Sequence, residues 1–146
     1  MWFDSSWQYR KRITVRNNNP YFIPYGHIYL EFSYSDIANY VKSDLSDIVF
    51  VDHDRIYDNG IYKPLSNQLY HYFNYIDTAN KKAGVFIKVP NIPANGNKII
   101  FMYFGNPNAT VTSYRDPKLT FDYYLDISTI QDNATLDNYL EIVDIR

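Results

Sequence analysis

The stretch Val85-Phe86-Ile87-Lys88-Val89-Pro90-Asn91-Ile92-Pro93-Ala94-Asn95-Gly96-Asn97-Lys98-Ile99-Ile100-Phe101-Met102-Tyr103-Phe104-Gly105-Asn106-Pro107 reads as two apolar strands around a turn. Val85, Ile87 and Val89 recur at the two-residue period of a strand, while Lys88 points the other way. Between Pro90 and Asn97 lie prolines, asparagines and a glycine, the residues that set turn geometry. Beyond the turn, Ile99, Phe101 and Tyr103 alternate with Ile100, Met102 and Phe104. Both faces of that segment are apolar, which predicts a central strand covered on each side. Gly105-Asn106-Pro107 then reads as a strand-ending turn. Two strands with a short polar connection predict a β-hairpin, on which the flanking segments can be arranged.

Strand signals continue in both directions. Tyr9, Lys11, Ile13 and Val15 face one way, with Arg10, Arg12 and Thr14 turned to solvent, up to the turn cluster Asn17-Asn18-Asn19-Pro20. Gly26, Ile28, Leu30 and Phe32 oppose His27, Tyr29, Glu31 and Ser33, the pattern of a half-buried strand. Residues 35–42 read as a short helix or loop, with Asp36 as a cap and Ile37, Tyr40 and Val41 at helical spacing. Ile48-Val49-Phe50-Val51 is a short apolar strand, and Asp58-Asn59-Gly60 is a turn. Leu69, His71, Phe73 and Tyr75 line one side of the next strand. Leu119, Phe121, Tyr123 and Leu125 alternate in a further one, residues 128–138 form a loop or a turn of helix, and 139–145 form the last strand.

About eight strands with at most one short helix, and no helices to cover a parallel sheet, predict an all-β fold. The expected architecture is an antiparallel, jelly-roll-like β-sandwich in a single domain over residues 1–146. Strand character close to Arg146 makes a fragment, or one module of a longer surface protein, an open expectation. A chain of 146 residues is long enough to bury about two-thirds of its unfolded surface. Its 46% hydrophobic and 21% charged residues place it among globular chains.

The abundance of tyrosine, 16 residues, suits half-buried sheet faces and wet interfaces, although β-propensity alone also accounts for it. With a net charge of -2 and Arg10-Lys11-Arg12 as the one basic triple, no nucleic-acid partner is expected. The absence of cysteine removes thiol catalysis, disulfides and thiolate metal sites. No stretch reaches the ~18 apolar residues of a membrane span. From Met1-Trp2-Phe3-Asp4 onward there is no basic n-region followed by a long apolar h-region, so no signal peptide is visible in this sequence.

Three ordered stretches carry a family resemblance. Trp7-Gln8-Tyr9-Arg10-Lys11-Arg12-Ile13-Thr14-Val15 resembles the opening motif of the domain of unknown function 2341 family. Asp44-Leu45-Ser46-Asp47-Ile48-Val49-Phe50-Val51-Asp52 is similar to its second motif, an Asp-Gly-x-Asp-Ile-Arg-Phe type of run, with Ser46 and Val49 departing from the commoner Gly and Arg. Residues 85–107 resemble the third, a Val-Lys-Val-Pro-x-Ile-Pro segment leading to Tyr-Tyr-Gly-Asn, with Phe104 replacing the second Tyr. The resemblance covers residues 7 to 110. It implies a β-sandwich module of secreted and cell-surface prokaryotic proteins, often next to lectin-like domains, and supplies no catalytic set. An extracellular, cell-surface or virion location follows as an expectation.

The residues themselves offer little for catalysis. His27, His53 and His71 lie on separate segments without metal-ligand spacing, no Gly-x-Ser-x-Gly elbow is present, and Glu31 and Glu141 are the only glutamates. No enzyme is expected. Asp44, Asp47, Asp52, Asp54 and Asp58 surround one short strand, so calcium is the cation they would suit, against the simpler reading of acids that cap their own turns.

Two roles remain open. One is a structural or assembly module that meets copies of itself or neighbouring domains through sheet edges and Tyr-rich faces. The other is a carbohydrate-binding module using Tyr70, Tyr72 and Asn74 on one strand face, or Tyr123 and Tyr124 near a sheet end, with glycans as partners. Asn108-Ala109-Thr110 and Asn133-Ala134-Thr135 match the N-glycosylation acceptor pattern.

Overall fold

The structure, a computed structural model, describes residues 5–52, 55–58, 61–64, 68–121 and 140–145, with backbone alone for 55–58, 61–64 and 140–144. Among these residues the strands are β1 (Tyr9–Asn17), β2 (Ile23–Ser33), β3 (Val49–Asp52), β4 (Arg55–Asp58), β5 (Ile61–Pro64), β6 (His71–Asp77), β7 (Lys82–Ile92), β8 (Asn97–Phe104) and β9 (Leu140–Ile145). A 3-10 turn (Ala38–Tyr40) and a single-turn helix α1 (Pro117–Thr120) complete the set. One sheet has the order β3-β8-β1-β9, a second has β2-β7-β6, and β4 and β5 form a separate ribbon, Asn59 and Gly60 of the expected turn lying outside the described residues. Every strand pair is antiparallel.

The alternation in sequence explains how the two sheets meet. Ile13 and Val15 of β1 with Ile100, Met102 and Phe104 of β8 face Ile28, Leu30 and Phe32 of β2 with Val85, Ile87 and Val89 of β7, in one continuous core. Each such aliphatic side chain, fully buried, contributes about 1.5–3 kcal/mol. The expected all-β sandwich is therefore present, and β8 lies inside its sheet as its two apolar faces require. On the outer face of β8, Tyr103 forms a smaller cluster with Val49 and Val51, joined by Trp7 and Phe101. Arg10 does not turn to open solvent. It lies 4.1 Å above the Phe101 ring and donates to the Tyr103 hydroxyl at 3.0 Å.

The expected hairpin is absent. β7 pairs with β2 and β8 pairs with β1, so the connection between β7 and β8 is an arch that crosses from one sheet to the other. Both strands carry a strong apolar row, and packing these rows face to face buries both, whereas edge-to-edge pairing would leave each to find another cover. Left-handed backbone at Asn91 (φ 52) and Asn95 (φ 48) turns the chain across the gap of ~10 Å between sheets. A second arch, between β1 and β2, runs alongside.

Asn17 joins the two arches. Its side-chain amide donates to the carbonyls of Tyr21 and Pro93, both at 3.0 Å, and its Oδ1 accepts from the backbone (2.9 Å) and side chain (3.0 Å) of Asn19. Its own backbone amide donates to Gly96 at 2.8 Å, and Asn95 donates to Asn19 at 2.9 Å. A buried carboxamide is tolerated here because each of its groups has a partner. Just past the arch, Lys98 reaches back into the core to pair with Asp52 at 2.8 Å, both side chains being buried.

Three local expectations change as well. A β-bulge between Phe73 and Tyr75 breaks the alternation of β6, so Phe73 packs in the core while Tyr75 lies over Gly84 on the outer face. Leu119 and Thr120, expected in a strand with Phe121, lie in α1, because the Asp116 side chain caps Lys118 N at 2.8 Å and Pro117 occupies the first turn. The remainder of that expected strand, with 128–138, lies outside the described residues. Asp36 does not cap the 3-10 turn; it pairs with Lys11.

Candidate functional site

Opposite the arches, β1 begins, β2 and β8 end, and residues 34–48 cross between the sheets. A cleft of about 300 Å³ opens there. Tyr9 forms one wall: its ring stacks on Phe104 (centroids 5.5 Å apart, 23° between planes) and meets Tyr40 at 4.9 Å and 50°. Both tyrosines remain substantially exposed, 40% and 50%. Gly105 is required beneath Tyr9. It has φ 82, and a Cβ there would stand 2.5 Å from Tyr9 Cδ2.

The opposite side is held by hydrogen bonds from its charged side chains to backbone groups. Asp47, buried, accepts from the Lys42 backbone amide at 2.9 Å, and the Lys42 ammonium donates to the Ala109 carbonyl. Trp7 donates its indole N–H to the Asp47 carbonyl at 3.3 Å. The first motif thus supplies Trp7 and Tyr9, the second Asp47 and the third Gly105, so the three stretches that carry the family resemblance converge on one cleft. Gln8 and Asn39 sit on its rim, exposed, and neither carboxamide has a hydrogen-bond partner among the described residues.

Within the second motif, the left-handed residue is Leu45 (φ 54), not Ser46. The position that favours the motif's glycine is therefore Leu45, where full burial of the leucine side chain offsets a backbone cost of about 1–2 kcal/mol. Arg115 donates to the carbonyls of Asp44 and Leu45 and stacks on Phe73, 4.6 Å from the ring centroid. Burial lowers its pKa. Asp44 accepts from the Ser46 amide at 3.0 Å, and the hydrogen bonding to Ser46 holds its carboxyl below the ordinary value.

Arg115 also stands beside His71, whose backbone it joins in a parallel bridge along the edge of β6. His71 is enclosed by Phe50 and Phe73 and donates from Nδ1 to the Leu69 carbonyl at 3.1 Å. Burial pushes its pKa down to about 4, so the ring is neutral near pH 7. It packs the core.

The residues expected for glycan binding share the outer face of the second sheet and contact other parts of the chain. Tyr70 stacks on Tyr114 (4.9 Å, 28°), Tyr72 meets Phe121 edge-on at 6.5 Å, and Asn74, at the bulge, accepts from the Tyr29 hydroxyl at 3.2 Å. Phe121 also contacts Phe86 and stacks on His27, whose Nε2–H donates to the Thr120 carbonyl at 2.7 Å. The segment carrying α1 and Phe121 therefore lies across this face. Tyr123 and Tyr124 lie outside the described residues.

The acids expected around calcium are separated by their partners: Asp44 bonds Ser46, Asp47 bonds Lys42 and Asp52 pairs with Lys98. Asp54 and His53 lie outside the described residues, and Asp58 is described by backbone alone. Among the described residues no group of three or more His, Cys, Asp or Glu is placed to hold a metal ion. No described helix is long and apolar enough to cross a membrane. Tyr9, Tyr40, Gln8, Asn39 and Gly105 were not indicated as site residues by sequence, because they come from separate segments that only the fold brings together.

Two antiparallel sheets packed face to face, with an aromatic cleft at one end, define a β-sandwich module. The chain belongs to the family described as Domain of unknown function (DUF2341), whose profile matches residues 44–138. That match takes in the second and third motifs and extends beyond them, while Trp7 to Val15 precede it. No curated protein and no solved structure matches the chain.

Proposed function

We propose that this chain is a non-enzymatic structural module of an extracellular assembly, a cell surface, appendage or virion, packed against copies of itself or neighbouring domains. The observation that carries this reading is the aromatic surface at the arch end. Tyr21, Phe22 and Tyr25 are 57%, 53% and 60% exposed, where the first arch enters β2, the outer strand of its sheet. Neighbouring exposed aromatics are an unfavourable surface for an isolated module and a favourable one for an interface, since each buries a large apolar ring and keeps its position at little entropic cost. The arches beneath are locked by Asn17, so the surface is presented on rigid backbone.

Sedimentation velocity from micromolar to millimolar concentration tests the proposal. The chain should associate with increasing concentration, and a variant with Tyr21→Lys, Phe22→Lys and Tyr25→Lys should remain folded by circular dichroism and stay monomeric. A chain that stays monomeric throughout, alone and mixed with the adjoining modules of its parent protein, contradicts it. A second reading, carbohydrate binding, is favoured by one observation, the cleft lined by the Tyr9–Tyr40 ring pair.

A further inference from the structure

We infer that the cleft beside the touching rings of Tyr9 and Tyr40 binds the end of a neutral glycan, with the ring pair as one apolar wall and Gln8 and Asn39 as its hydrogen-bonding rim. This deepens the carbohydrate reading and rests on it, and it does not depend on the assembly surface at the other end of the sandwich.

The chemistry of the lining selects the ligand class. Sugar rings present apolar C–H faces and hydroxyls that both donate and accept. Tyr9 and Tyr40 pack against each other as one partly exposed aromatic wall, and Tyr9 is held from behind by Phe104 and from below by the Gly105 backbone. Such a wall is preorganised, so little ordering cost falls on binding. The unpartnered polar groups at the rim are carboxamides, and the tyrosine hydroxyls add to them; each of these groups can both donate and accept.

The charged side chains of the cleft point the same way. Lys42 gives its ammonium to Ala109, and Asp47 is buried against the Lys42 amide. Asp47 is buried and Lys42 half-buried, each bonded inside the fold, whereas the exposed polar side chains of the rim, Gln8 and Asn39, are neutral and suit a neutral hydroxylated ligand. A proline-rich peptide also suits aromatic clefts, but it offers chiefly carbonyl acceptors and would leave the acceptor oxygens of both carboxamides unused. The volume, about 300 Å³, is at the small end of ligand sites and matches a chain terminus rather than a long oligosaccharide.

The site also explains features that the fold alone leaves unaccounted for. A strand can end without a left-handed glycine, and two tyrosines can pair without remaining about half exposed. Here Gly105, Tyr9 and Tyr40 together keep a ring-lined cavity open beside Trp7, which reports on it through its bond to Asp47.

A panel of immobilised neutral glycans, followed by solution titration of each hit with tryptophan fluorescence, tests the inference. Tyr40→Ala and Asn39→Ala should each weaken the binding of a hit about tenfold or more, while Tyr72→Ala leaves it unchanged and all three variants melt as the parent does. Glycan binding that survives Tyr40→Ala, Asn39→Ala and Gln8→Ala overturns the cleft and leaves the carbohydrate reading standing at another surface. If no glycan on the panel binds at millimolar concentration, the carbohydrate reading and the cleft site both fall. Binding of a proline-rich peptide with no glycan hit has the same consequence.

Discussion

At the arch end the buried carboxamide of Asn17 is consumed by the fold; at the cleft the carboxamides of Gln8 and Asn39 face solvent. Asn17 satisfies two backbone carbonyls and two donors of Asn19 in a buried position, whereas Gln8 and Asn39 are exposed on a rim with no partner among the described residues. The aromatics differ too. Those at the arches stand on locked backbone as an outer surface, while Tyr9 and Tyr40, in contact with each other, form one wall of a cavity. Asn17 thus holds one end of the sandwich shut while Gln8 and Asn39 border an open cavity at the other, and the difference lies in whether the neighbouring backbone presents buried groups for the carboxamide to bond.

The largest expected effect that separates the ends belongs to Lys98, beside the β7–β8 arch. Lys98→Met removes the ion partner of the buried Asp52 and should cost about 3–5 kcal/mol in urea unfolding, while Lys98→Met with Asp52→Leu should recover most of it. Between the ends stands His71. Its folded pKa of about 4 lies below the 6.5 of the unfolded chain, so the unfolded state binds the proton more tightly. Stability is complete above pH 6.5 and falls by roughly 3 kcal/mol as the pH drops to about 4. His71→Phe should flatten that slope in denaturation measured across the window.

Asn17→Ala comes next, at about 2–3 kcal/mol, because the carbonyls of Tyr21 and Pro93 and the amide of Asn19 lose their partner. Gly105→Ala should cost about 1–2 kcal/mol for its left-handed backbone, and near-ultraviolet circular dichroism should register the displaced Tyr9 ring. Tyr40→Ala closes the series. It should change the unfolding free energy by less than about 0.5 kcal/mol, as an exposed substitution, and act on ligand binding alone. A large stability loss from Tyr40→Ala, or a negligible one from Asn17→Ala, would break the contrast between the ends.

Much of this fold was legible because alternation exposes which side of a strand is buried. Ile28, Leu30 and Phe32, Val85, Ile87 and Val89, and Ile100, Met102 and Phe104 all face the core as their spacing predicts. Pairing was harder to read. A run containing Pro93, Asn95 and Gly96 marks a reversal of the chain, yet it does not say whether the strands return within one sheet or across two. That choice depends on Ile13 and Ile28, far away in sequence, which provide the neighbours.

Alternation also misled where local chemistry was stronger. Leu119 and Phe121 have strand spacing, but the cap at Asp116 and the ring of Pro117 start a helical turn. The bulge at Asn74 reversed the side of Tyr75 for a similar reason, since one extra residue shifts the register beyond it. The cleft was not legible as a site: Gln8, Tyr9, Asn39, Tyr40 and Gly105 share no periodicity, and their proximity follows from the pairing of β1 with β8 and the crossing of residues 34–48.

Native-state hydrogen exchange tests the contrast at its root. The amides of Asn17, Asn19 and Asn95 are bonded to Gly96, to the Asn17 side chain and to Asn19 respectively. The account predicts that all three exchange only with global unfolding and that Asn17→Ala releases Asn19 and Asn95 to faster, local exchange. Exchange at the rate of an exposed loop in the unmodified chain would contradict it, because the two arches would then not be joined and the arch end would be no more closed than the cleft.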